Sequence, residues 1–318
     1  MEFDLMKRTA SILLPALLLA ATFAYTSSSF AAEEGWTIDF EAAKATAAKE
    51  NKDLFLEFTG SDWCPPCKLL KAKVFDMEAF KSAAPKSFVL VKLDFPRDKS
   101  HQTEAEIAQN DQLQKQYVIS GFPTVIFADA AGRPYARMVG FGGQDAQAYV
   151  KQMMEYHKLR ENRDAAFAEA EKATGIEQAK ALDKGLAGID SELLATIYKP
   201  EVDKIIAADA DGAAGLKAKY TALLLLPEVT KALQDIQQVE GDTAARLKMV
   251  DELVASKKLT GEALQEAHFT KAIISYREDK EGAKKHMEAA IEAAPTTRKA
   301  AEIKKIIERV YAPETEEK

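Results

Sequence analysis

Cysteine is almost absent: the 318 residues hold two, Cys64 and Cys67, and histidine is nearly as scarce, at positions 101, 157, 268 and 286. A tetrahedral zinc site needs about four ligands, and no histidine lies beside the cysteine pair, so neither a metal nor any other cofactor is expected there. Covalent haem attachment requires His directly after the second Cys, and position 68 is Lys. An excess of basic charge is missing as well. Lys and Arg number 43 against 50 Asp and Glu, a net charge of −7, which removes the electrostatic basis for binding nucleic acid or an anionic membrane. The apolar run near the N-terminus, Ile12 to Ala24, covers 13 residues where a membrane span needs about 20.

That short run has a different reading. Lys7 and Arg8 precede it, and Ser29-Phe30-Ala31 after it has the small-x-small pattern of a signal-peptidase site. Residues 1–31 are therefore expected to be a signal peptide cleaved after Ala31, leaving a periplasmic or secreted protein without stable membrane insertion. No Cys lies near the cleavage site, which excludes a lipoprotein anchor on this segment. The remainder, within a chain 47% hydrophobic and 29% charged, has ordinary globular composition and a length that suggests two domains.

Export changes what the cysteines mean. A pair in a secreted chain ordinarily staples a small domain, but a bridge between residues three apart removes little entropy from the unfolded chain. Redox chemistry fits better. Asp53-Leu54-Phe55-Leu56-Glu57-Phe58 reads as a buried strand and Thr59-Gly60-Ser61-Asp62 as the turn leaving it. Pro65 suits a first helical turn, and Leu69, Leu70 and Val74 then recur at helical spacing. Cys64 thus stands at a helix N-terminus, where unsatisfied N–H groups and the dipole favour thiolate and lower a Cys pKa from about 8.5 to between about 3.5 and 7.5. Both middle residues are Pro and cannot donate, so the amide of Cys67 is the nearest donor.

The segment Trp63-Cys64-Pro65-Pro66-Cys67-Lys68 resembles the Trp-Cys-x-Pro-Cys-Lys of thioredoxin and its relatives, with Pro65 in place of the usual glycine. Gly121-Phe122-Pro123-Thr124, ahead of the strand Val125-Ile126-Phe127, is similar to the family's cis-proline loop. Other elements follow in the family's order: an amphipathic segment from Phe40 to Glu50, a buried strand Phe88 to Asp94, a turn at Asp129 to Gly132, a hairpin partner from Arg133 to Val139, and a closing helix. On that helix Ala146, Tyr149, Val150, Met153, Met154 and His157 trace one face, and His157 reads as a packed histidine rather than a ligand or base. The resemblance implies an α/β thioredoxin fold, a central mixed sheet flanked by helices, over residues 32–160. It implies catalysis by Cys64 and Cys67, substrate contact through Trp63, Pro65, Pro66, Phe122 and Pro123, and backbone pairing of Phe122 with an incoming peptide. The family's buried acid stands six residues before the first cysteine, whereas Glu57 stands seven before Cys64. Glu57 fills that role if it keeps the strand register, with Lys92 as the lysine beside it; both are otherwise surface charges. Asp62 is closer in sequence, but a carboxylate there would oppose the thiolate.

Beyond residue 160 strand patterning disappears. Ala, Leu, Lys and Glu dominate between breaks at Thr174-Gly175, Lys199-Pro200, Asp211-Gly212, Gly241-Asp242 and Ala294-Pro295, which predicts an all-α domain over 161–318 with six to eight helices in hairpins. Ala283, Met287, Ala290 and Pro295 fit the second helix of a tetratricopeptide repeat, while Lys271 fills a slot that normally holds a small residue. This half is read as a partner-recognition surface, a rigid cap or a dimerisation domain. The expected function is exchange of disulfides with extracytoplasmic proteins, in the reductase direction, with a membrane-bound electron donor or acceptor. The alternative is a binding or scaffold protein whose helical half recognises a partner and whose first domain is a platform.

Overall fold

The computed structural model describes residues 35–311; the expected signal peptide lies outside them. A five-stranded mixed sheet forms from β1 (Trp36–Thr37), β2 (Asp53–Thr59), β3 (Phe88–Asp94), β4 (Thr124–Ala128) and β5 (Pro134–Val139), in the order β1-β3-β2-β4-β5. β3 runs parallel to both β1 and β2, while β4 is antiparallel to β2 and β5. This is the mixed sheet flanked by helices that the sequence predicts. β2 is central and buried along its whole length, which is why Asp53 to Phe58 shows no polar alternation.

Helices cover both faces. α1 (Phe40–Glu50) starts where the Asp39 carboxylate accepts from the Ala42 amide and stops at Asn51, whose φ of 52° only a few residue types adopt readily. α2 (Pro65–Leu70) continues into a π-helical turn at Lys71–Phe75, followed by α3 (Glu78–Ser87), a 3₁₀ turn at Lys99–His101, α4 (Glu104–Gln116) and α5 (Ala146–Lys172). Strand parity sorts the core. Phe55, Phe88, Leu90 and Phe127 face Leu70, Phe75, Phe80 and Tyr149 in one apolar cluster. Leu54, Leu56, Phe58, Val91 and Leu93 face Phe40, Ala47, Leu113 and Tyr117 in the other. Each fully buried Phe or Leu of these layers contributes about 1.5–3 kcal/mol.

α5 passes without a break through residue 160, where the sequence reading puts its domain boundary, and eight further helices follow among the described residues. They are α6 (Gly175–Leu186), α7 (Ser191–Thr196), α8 (Lys199–Ala208), α9 (Leu216–Gln238), α10 (Thr243–Lys257), α11 (Gly261–Ser275), α12 (Lys280–Ala293) and α13 (Arg298–Val310). The breaks act as caps: the Asp242 side chain accepts from Ala245 at the start of α10, and Pro200 stands in the first turn of α8. Ala283, Met287 and Ala290 form the buried face of α12, and Lys271 on α11 reaches Asp251 on α10 at 2.8 Å. No helix among the described residues is long and apolar enough to cross a membrane.

Charged groups join the helices to the sheet. Arg163 of α5, with its side chain 2% exposed, bonds Asp129 beyond β4 at 2.7 Å, Asp164 at 2.6 Å and the Tyr198 hydroxyl at 2.8 Å. Tyr198 in turn donates to the Pro134 carbonyl of β5 at 2.7 Å. Arg137 of β5 pairs with Asp190 and Glu192 at the start of α7, and Leu193 of α7 enters the second sheet cluster.

Candidate active site

The cysteine turn is pinned before the helix begins. The Gly60 carbonyl accepts from the amides of Cys64 at 2.9 Å and Trp63 at 3.3 Å. Ser61 N–H donates to Asp94 at 2.9 Å, and the Asp62 carboxylate accepts from the amides of Arg97 and Asp98. Burial works to raise the Asp62 pKa, but these donations outweigh it and hold the carboxyl below the ordinary aspartate value. Asp62 therefore ties the turn to the loop after β3, a role its sequence position does not reveal.

Cys64 is the N-cap of α2 and is disulfide-bonded to Cys67, whose amide donates to Cys64 Sγ at 3.3 Å. Pro65 and Pro66 occupy the next two positions, exposed, and carry no N–H, so the donor is the one expected. Both cysteines are 2% exposed in this oxidised state. What distinguishes them is position: one caps the helix and the other lies inside its first turn.

The proline loop meets the cysteine turn through aromatic rings. Trp63 contacts Phe122 edge-on at 5.6 Å, and its indole N–H donates to the Phe95 carbonyl at 2.8 Å. The Phe122–Pro123 bond is cis, and the loop is closed by Thr124 Oγ1 donating to the Gly121 carbonyl and by Gly140 N–H donating to the Pro123 carbonyl, both at 2.8 Å. Arg97 lies over the Trp63 ring at 5.8 Å. Gly60 makes the indole's position available, since a Cβ there would sit 2.5 Å from Trp63 Cε2. Gly60→Ala should push the ring out, lower stability by about 1–3 kcal/mol and change the near-ultraviolet circular dichroism. Unaltered tryptophan signals in a variant of unchanged urea midpoint would show that the ring does not need this space.

Glu57 has the register the sequence left open. It pairs with Lys92 on β3 and Val125 on β4 and shares parity with Phe55, so its side chain lies on the α2 face of the sheet. The residue is 4% exposed. With Cys67, Lys92 and Lys71 it lines a cavity of about 40 Å³ behind the cysteine pair, more than the roughly 10–15 Å³ that one water needs. Glu57 thus keeps the β2 register, and the turn from Gly60 to Trp63 separates the strand from Cys64. Tyr149 is a neighbour that sequence reasoning placed only in the core: burial, and then the charge of Glu57, push its phenol above the ordinary range, and its hydroxyl has no hydrogen-bond partner among the described residues. Periodicity identifies such a residue as inward-facing but not what it faces.

At the far end of β2, Asp53 is fully buried among the Tyr135 hydroxyl at 2.7 Å, His157 Nδ1 at 2.9 Å and Arg160. His157 also packs on Phe88 at 5.5 Å. Among the described residues no three His, Cys, Asp or Glu side chains gather in a way that could hold a metal ion.

A family model described as a thioredoxin-like domain matches residues 40–158. The disulfide bond reductase DsbH of Chlamydia pneumoniae is 38% identical over 112 residues, which is 35% of this chain and 66% of that protein. The thioredoxin-related protein DsbJ of the same organism is 26% identical over 109 residues, 34% of this chain and 31% of that one. The chain thus spans slightly under two thirds of the first relative and under a third of the second. A solved DsbH oxidoreductase structure is 31% identical, covering 48% of this chain and 96% of that one with a TM-score of 0.38. The part of the chain that carries the cysteine pair belongs to the thioredoxin-like superfamily.

Proposed function

We propose that this protein is an exported thiol–disulfide oxidoreductase that reduces disulfides of extracytoplasmic proteins through Cys64 and Cys67. The observation that carries the reading is the bonded pair at the start of α2, with the Cys67 amide donating to Cys64 Sγ at 3.3 Å. Such a donor stabilises a thiolate on Cys64 once the pair is reduced. The thiolate attacks one sulfur of a substrate disulfide; that S–S bond breaks, a mixed disulfide forms, and the first substrate thiolate leaves. Cys67 then loses its proton and attacks Cys64 Sγ, closing the internal disulfide and releasing the second substrate thiol. Two electrons pass from the pair to the substrate, so a donor must reduce the pair again, and a membrane-bound electron donor is the partner we propose for this. Trp63, Pro65, Pro66 and the Phe122–Pro123 loop form the contact surface for the substrate segment. The absence of a histidine between the cysteines favours the reductase direction, as does the name of the relative DsbH, a disulfide bond reductase. Faster precipitation of insulin by dithiothreitol in the presence of the protein tests the activity. A rate equal to that without protein would refute it.

Glu57 is proposed as the acceptor of the Cys67 proton, with Lys92 beside it on the same face. Only the second step needs that proton removed, so Glu57→Gln should slow release from the mixed disulfide by about 10²-fold and leave the first attack nearly unchanged. Quenched-flow trapping with N-ethylmaleimide would find the mixed disulfide accumulating. An unchanged release rate would assign Glu57 a structural part only.

A further inference from the structure

A cavity of about 720 Å³ lies where the helices meet the free edge of the sheet, within the size range of ligand sites. Arg137 of β5 and Ser120 contribute to its sheet side, and α7, α9, α11 and the start of α13 to its helical side. Ser120 stands two residues before Phe122, at most about 7.6 Å along the Cα trace, so the cavity approaches the loop proposed to hold the substrate. Its lining is amphipathic. Leu159 and Ile273 remain 40% and 48% exposed there and add apolar surface beside the charged groups.

Its charge is unbalanced. Five acids line it, and the three bases present are already engaged: Arg137 with Asp190 and Glu192, Lys299 with Glu266, and Arg298 with Glu302. Glu262 is left facing this group, and among the described residues the Ser191 hydroxyl is its hydrogen-bond donor. Burial, then the charges of Asp190, Glu266 and Glu192, push its carboxyl above the ordinary glutamate range. Arg137, 7% exposed, is held at the sheet side by Asp190, Glu192 and the Tyr117 carbonyl.

We propose that this groove binds an extended, basic segment of the substrate polypeptide, flanking the cysteine that is presented to Cys64. The proposal rests on the disulfide-exchange reading and adds a substrate class to it: chains with Lys or Arg near the reacting cysteine. Other occupants fit the charge less well. The last residues of this chain, Pro313 to Lys318, carry three Glu against one Lys, and a second copy brings a net charge of −7.

The test separates binding from chemistry. In the full chain with Cys64→Ser and Cys67→Ser, fluorescence anisotropy should detect a short cysteine-free basic peptide binding more tightly than its acidic counterpart, with affinity falling as salt rises. Glu262→Gln, which preserves an acceptor for Ser191, and Ile273→Ser, at an exposed position, should each weaken binding about fivefold. In the redox-active chain the same variants should raise KM for a basic disulfide peptide by a similar factor and leave the rate on a small aromatic disulfide unchanged. Equal affinity for the two peptides, or no effect of either variant, would overturn the groove's role. So would a dimer in sedimentation that Glu262→Gln dissociates, which would give the groove to a second copy. Failure of the parent chain to reduce the small disulfide would instead refute the exchange reading, since the anisotropy arm involves no cysteine.

Discussion

Replacing Cys64 with alanine is expected to lower disulfide reduction by about 10³-fold or more, because no other thiol can form the mixed disulfide productively. The matching change at Cys67 should behave differently. Cys67→Ala leaves the N-cap thiolate able to attack, so the first step proceeds and the reaction stops at a covalent adduct. Non-reducing electrophoresis with mass spectrometry should find substrate attached to Cys64 in Cys67→Ala and none attached in Cys64→Ala. The asymmetry comes from the helix: Cys64 caps α2, while Cys67 sits inside the first turn, behind Pro65 and Pro66 and against the Glu57 cavity. Adducts on Cys67 in the Cys64→Ala chain would reverse the assignment of attacking and resolving thiols.

Arg163→Leu should cost the fold more stability than Gly60→Ala does. The guanidinium is buried between Asp129, Asp164 and the Tyr198 hydroxyl, and removing one partner of a buried ion pair costs about 3–5 kcal/mol because the other charge stays buried. Asp129, 8% exposed, would keep the amides of Ala131 and Arg133 and the side chain of Arg133 as donors but lose its buried cation. A fall in Tm of about 10 °C follows for a chain of this size. Thermal unfolding followed by circular dichroism is the measurement, and a shift under about 2 °C would mean that the network is energetically neutral. The same reasoning bears on truncation. A fragment ending at residue 160 retains Asp129 but loses both Arg163 and Tyr198, so it should unfold at a lower temperature than the full chain even if its cysteine chemistry survives.

Much of the sheet-bearing part of the chain is legible because its determinants are local. Phe40 to Glu50 and Phe88 to Asp94 have the expected bounds, and Pro65 and Pro66 open α2 because an N–H is not needed there. The helical half is legible in the same way, since Gly, Pro and Asp at the breaks act within a few residues. α9 is an exception, continuing through Pro227, a residue that costs about 3 kcal/mol inside a helix. Burial of Leu226, Val229, Leu233 and Ile236 against α10 and α11 offsets that cost. β1 escapes notice for the opposite reason: two residues are too few to show a period, and only pairing with Leu90 and Val91 makes them a strand.

The sequence by itself determined the chemistry on offer and the order of the elements, because both rest on residues within one turn or one strand of each other: the Cys64–Cys67 spacing, the paired prolines, the apolar runs of the strands. Only the tertiary structure decided what lies across the chain from each of these. Asp53 meets Arg160 over a separation of 107 residues, Arg163 meets Tyr198 over 35, and Glu57 is directed toward Cys67 by a strand register that β3 and β4 jointly impose on β2. Each such pairing depends on closing a loop and excluding water from it. That free energy belongs to the assembled layers and leaves no periodic trace along any one segment.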